Sequence, residues 1–201
     1  MRKKINPVFI FTVLATLVGI LIINRPKFED HPVKTKQNPV QVETQALHNI
    51  NKPIIDVSGW QRPSEINYDT LTQNISGAIV RVHSGAQASV ENDASFKNGV
   101  DKAYKEHITE FQKRNIPVAV YAYVAGKNVE EMEKAAEVFY NAASPYNPSY
   151  YWLDVEDKTM SDMNKGVEAF RAKLASLGAK NIGIYVGVYF MEEHSISTEN
   201  F

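Results

Sequence analysis

Residues 150–156 read YYWLDVE. Side chains along an extended segment alternate between its two faces. Leu153 and Val155 therefore share one face, and Trp152, Asp154 and Glu156 share the other. One face is aliphatic and suits packing under helices. The other carries an aromatic ring and two acids. Four more stretches divide in the same way. In 54–58, Asp56 and Ser58 oppose Ile55 and Val57. In 78–83, Arg81 and His83 oppose Val80 and Val82. In 118–124, Tyr121 and Tyr123 oppose Val118, Val120 and Val124, and in 182–188 Tyr185 opposes Ile184 and Val186.

Between these stretches lie three runs with helical spacing. Val100, Ala103, His107, Ile108 and Phe111 form one apolar stripe. Val129, Met132, Ala136, Phe139 and Ala143 form a second, and Met163, Val167, Phe170, Leu174 and Leu177 a third. Asn115-Ile116-Pro117 ends the first run, and Gly178 suits the residue that closes the third. Strand–helix–strand alternation predicts a parallel sheet with crossover helices. An open, doubly wound sheet would be apolar on both faces. Polar and aromatic groups gathered toward the C-terminal strand ends instead predict an irregular (β/α) TIM-like barrel with its site at the mouth.

The N-terminus is different in kind. Arg2, Lys3 and Lys4 precede an uncharged run at 5–24, long enough to span about 30 Å as a helix. No small-x-small cleavage pattern follows it. Residues 1–24 are therefore expected to be a transmembrane anchor. Residues 25–52, with three prolines and no hydrophobic period, are expected to be an extended stalk. Residues 53–201 then form one domain, large enough to bury a core. The net charge of -1 gives no reason to expect a nucleic-acid partner. The absence of cysteine rules out disulfides, thiol catalysis and cysteine-bound zinc.

Asp154 and Glu156 stand two apart on a strand, which places their Cα atoms roughly 6.5 Å apart on one face. Two carboxyls that close cannot both ionise freely, so one should keep its proton at neutral pH. An acid beside a carboxylate suits cleavage of a glycosidic bond. Two other readings of the pair stand beside this one: a solvated acidic strand end, or a divalent-metal site completed by Asp56. His83 is the one histidine expected on the same face, too few for a histidine-rich zinc site.

The segments IIDVSGWQ (54–61), GAIVRVHSG (77–85), NIPVAVYAYV (115–124), YYWLDVE (150–156) and NIGIYVGVYF (181–190) together resemble glycoside hydrolase family 25, the Chalaropsis-type muramidases. The resemblance runs from Pro53 to the end. It implies a flattened β/α barrel, here stopping after about five strands, and hydrolysis of the β-1,4 bond between N-acetylmuramic acid and N-acetylglucosamine. Position by position it implies Glu156 as general acid. Asp154 would orient the substrate's 2-acetamido group, and Asp56 would line the catalytic pocket. Tyr121 is implied as a sugar contact. Arg81 stands where the family has an arginine, as a substrate contact or in an ion pair with Asp56 or Asp154. Trp60 and Trp152 are candidates for stacking on sugar, Trp152 equally for packing, and Tyr123 and Tyr185 complete the expected binding face. The family's acidic and aromatic positions before the first helix match either Asp93 with Phe96, or Asp101 with Tyr104 and His107. Ala122 replaces a common histidine, and Val82, His83, Ser84 and Gly85 replace a glycine-rich loop. No cofactor or metal is expected. The partner is peptidoglycan, with the domain a monomer held outside the cell membrane by a single span. The alternative is a glycan-binding module descended from such an enzyme.

Overall fold

The computed structural model describes residues 52–85 and 90–201. The anchor expected over 1–24 and nearly all of the stalk lie outside the described residues. Among the described residues no helix is long and apolar enough to cross a membrane.

Five strands form one parallel sheet: β1 (Ile54–Val57), β2 (Gly77–His83), β3 (Val118–Tyr123), β4 (Tyr151–Val155) and β5 (Ile182–Val186). Their spatial order is their order in sequence, β1-β2-β3-β4-β5. When every crossover moves one strand in the same direction and is right-handed, all the helices fall on one face. This is the winding of a barrel rather than of a doubly wound sheet. The sheet is open, with β1 and β5 at its edges.

The main helices are α1 (Tyr68–Thr72), α2 (Tyr104–Lys113), α3 (Val129–Ala143), α4 (Met163–Leu177) and α5 (Val188–Glu193). Helices α2 and α3 pack on β2 and β3, and α4 packs on β4 and β5 and against α3. Val80, Val82, Val120 and Leu153 from the sheet meet Ile108, Phe111, Met132, Phe139, Phe170 and Leu174 from the helices, all fully buried. Each buried phenylalanine contributes about 1.5–3 kcal/mol. The aliphatic alternation thus builds the core on one face and leaves the polar face open.

Local signals set the boundaries. The Asn128 side chain accepts from Glu131 N–H at the start of α3, and Asp162 accepts from Lys165 N–H at the start of α4. Gly178 closes α4 at φ 109°, a conformation that favours glycine. Two expectations fail. Val100 is not helical: it pairs with His83 in an isolated bridge, and α2 starts at Tyr104. The last predicted strand ends at Val186, and Val188 opens α5.

Candidate active site

The polar face carries two register rows across the sheet. Arg81, Tyr121, Trp152 and Gly183 form one row, and Tyr123, Asp154 and Tyr185 the next. Glu156 follows directly after β4 and is exposed, whereas Asp154 is half-buried. The two carboxyls share a hydrogen bond. They therefore emerge on one side of their strand, as the alternation predicts. Burial is the main cause that pushes the Asp154 carboxyl up to about 7, followed by the negative charge of Glu156, their hydrogen bond, and the charge of Asp56. Arg81 acts in the opposite direction. Asp154 Oδ1 is buried and, among the described residues, has no hydrogen-bond partner. An orphaned acceptor costs stability unless something fills it.

Other predicted residues gather around this pair. The Tyr121 hydroxyl sits in the fields of Arg81, Asp56, Asp154 and Asp101, and burial raises its pKa. Tyr123 is raised by burial and by a hydrogen bond with Asp157. Tyr185, at the exposed end of its row, feels Glu156, Asp154 and Asp56. Asp56 itself is exposed on β1. Trp60 sits on the turn after β1 with its indole largely exposed. Trp152 is a packing residue: its ring lies over Gly183, where an added Cβ would come within 2.5 Å of it, and it stacks on Tyr150. Among the described residues no three acids or histidines are grouped to hold a metal ion.

Two predicted roles need correction. Arg81 does not pair with Asp56 or Asp154. Its Nε donates to Asp101 Oδ2 at 3.0 Å. Its Nη2 lies 3.0 Å from the same oxygen but aims no proton at it, and is left without an acceptor among the described residues. His83 does not present itself to the pocket. The register with β3 shifts between Arg81 and His83, so one extra residue breaks the alternation. His83 is instead buried, with Nδ1 accepting from Gly85 N–H and a second bond to the Asn98 backbone. Burial pushes it down to about 4.

Several contributors were only partly visible in sequence. Asp101, fully buried, accepts from Gly59 N–H (2.7 Å), Arg81 Nε and Ala103 N–H (2.8 Å). Of the two acidic candidates before the first helix, this is the one built into the site. His107 accepts from the Tyr68 hydroxyl at Nδ1 (2.7 Å) and donates from Nε2 to the Ser58 carbonyl (3.2 Å). Gln61 Oε1 accepts from both the backbone and the hydroxyl of Ser58. The turn at 58–61 is thus clamped from three sides. Gly59 is required there, because a Cβ would collide with the Ala94 carbonyl and press on Asp101. The glycine and glutamine of the DVSGWQ segment were the signal for this clamp; Tyr68 had none.

Comparison with known proteins bears on this geometry. The family description Glycosyl hydrolases family 25 matches residues 55–201. A solved glycosyl hydrolase 25 of Streptococcus pneumoniae, described as a virulence factor participating in host cell invasion, is 80% identical. The match covers 82% of this chain and 71% of that one, with a TM-score of 0.75. The catalytic domain of endolysin ply40, from bacteriophage P40 of Listeria monocytogenes, is 18% identical over 71% of this chain and 66% of that chain, with a TM-score of 0.59. The modular autolysin LytC of Streptococcus pneumoniae is 22% identical over 70% and 33%, with a TM-score of 0.56. The last two speak for the fold alone. No curated protein matches the chain.

Proposed function

Because this chain belongs to glycosyl hydrolase family 25, we propose that it hydrolyses peptidoglycan at the β-1,4 bond between N-acetylmuramic acid and N-acetylglucosamine. The observation that carries the reading is the Asp154/Glu156 pair: one half-buried carboxyl, pushed up to about 7, hydrogen-bonded to one exposed carboxyl at the strand end. Between them they hold one proton, which is what acid-assisted departure of a sugar requires.

Asp154 keeps the proton in the empty site. As a sugar displaces water, passing that proton across the hydrogen bond arms Glu156 and leaves a carboxylate at Asp154. Glu156 then protonates the departing glycosidic oxygen. Asp154 accepts from the N–H of the 2-acetamido group and orients its carbonyl to attack the anomeric carbon. Water opens the resulting ring, with Glu156 taking the proton back. The orphaned Oδ1 of Asp154 fits that N–H as its missing donor. Asp56, Tyr121, Tyr123, Tyr185, Trp60 and Arg81 supply the walls and polar contacts of the sugar site.

The substrate lies outside the cell membrane, which agrees with residues 1–24 acting as an anchor and the domain working beyond it as a monomer. Release of reducing ends from purified cell walls tests the assignment. Glu156→Gln should lower the rate on the order of 10²–10⁴-fold with an unchanged melting temperature. Wall binding by the wild-type chain with no release would favour a glycan-binding module instead.

A further inference from the structure

Arg81 is the cation that acts on Asp154. A guanidinium facing a carboxyl favours loss of its proton. Yet the pair at the end of β4 works only if a proton stays. The structure holds the answer beside Arg81, at Asp101.

Asp101 is fully buried, and every bond it accepts ties down a different segment: Gly59 in the turn after β1, Arg81 on β2, and Ala103 at the entry to α2. Its carboxylate faces the guanidinium at 3.0 Å through both Nε and Nη2. A buried carboxylate is a costly way to fix a loop; a polar uncharged side chain would meet the two backbone donors. What the charge adds is neutralisation of Arg81. We infer that Asp101 is a positioning residue that pins and neutralises Arg81, so that the arginine takes its place on the polar face without stripping the shared proton from Asp154 and Glu156.

The groups facing Asp154 are few and come from every strand. They are Asp56 on β1, Arg81 on β2, Tyr121 and Tyr123 on β3, Glu156 after β4 and Tyr185 on β5, with Asp157 bonded to Tyr123. Asp56 and Glu156 raise proton affinity and Arg81 lowers it. Asp101 reaches the pocket through its bond to Arg81 and through its charge near Tyr121. Its effect on the pair is read by titration, and its effect on the loop by melting temperature.

This inference deepens the hydrolase reading and rests on it for the word positioning. Its test does not depend on turnover. In the full chain labelled with carboxyl-13C aspartate, the Asp154 signal is assigned by its loss in Asp154→Asn and titrated without substrate. Asp101→Asn should lower the Asp154 midpoint by about one pH unit and carry the alkaline limb of kcat/KM down with it. Arg81→Met should raise the midpoint, and the double variant should return it close to the wild-type value. If Asp101→Asn does not fold, the direction of the Arg81→Met shift decides. An Asp154 midpoint unmoved by either substitution, whatever the loss of melting temperature, would overturn the inference and leave Asp101 as a loop fastener. Shifted titrations in a chain that releases no sugar would sustain the electrostatic role and sink the hydrolase reading instead.

Discussion

The polar groups that clamp the turn after β1 and the Asp154 carboxyl on β4 differ in whether their bonds are made. Asp101, His107, His83 and Ser58 are buried, and each has its partners within the protein. Asp154 Oδ1 and Arg81 Nη2 are buried too, yet among the described residues each lacks one. A buried polar group without a partner costs about 1–3 kcal/mol. The clamp built on Asp101, His107 and Ser58 satisfies these groups to fix a shape. Asp154 Oδ1 on β4 is left open, where an arriving sugar can complete it. Substitutions on the two sides should therefore separate stability from activity.

Asp154→Asn tests the open side most severely. Activity should fall on the order of 10²–10³-fold, while the protein gains stability at alkaline pH. The folded state holds this carboxyl up at about 7, above its ordinary value of 3.8. Folded Asp154 thus binds a proton more tightly than unfolded Asp154 does. Stability is full below about pH 4, declines as pH rises toward 7, and stays reduced above it. Asparagine mimics the protonated form, so the variant's melting temperature should exceed that of the wild type at pH 8 and match it at pH 4. A uniform drop at both pH values would erase the contrast between the two sides.

Gly59→Ala tests the closed side. The added Cβ has no room against the Ala94 carbonyl and Asp101, and overpacking of this kind costs about 1–3 kcal/mol. Chemical denaturation should show that loss. His107→Leu should cost about 1–3 kcal/mol, by orphaning the Tyr68 hydroxyl and the Ser58 carbonyl. The smallest effect belongs to Trp60→Ala. Its ring is exposed, so stability should hold within about 0.5 kcal/mol while KM for cell walls rises a few-fold. An unchanged KM would remove Trp60 from the sugar site.

The same contrast explains what could be read from sequence. Strand positions and the faces of α3 and α4 follow from local alternation and spacing, and these agree with the structure. The Asp154/Glu156 pair was legible because Asp154 is on β4 and Glu156 directly follows it, so that the alternation sets their side. Which of the two keeps the proton was not, since that depends on depth below the surface. For an ion pair of Arg81 the sequence offers the acids of other strands, Asp56 and Asp154, but Asp101 comes from an irregular loop 20 residues on, where no periodicity points. That loop also hid the start of α2. Val100 and Ala103 fit the helical stripe, yet the bonds of Asp101 hold the chain there in a bridge and a cap. His83 was misplaced by a single extra residue in β2, a change that leaves the local pattern of apolar and polar residues untouched.

Borohydride reduction of a cell-wall digest identifies which sugar carries each new reducing end. The wild-type chain should generate muramitol, and Glu156→Gln should generate almost none while still sedimenting with the wall. New ends that reduce to glucosaminitol, or equal release by the two proteins, would contradict hydrolysis driven by a proton shared between Asp154 and Glu156.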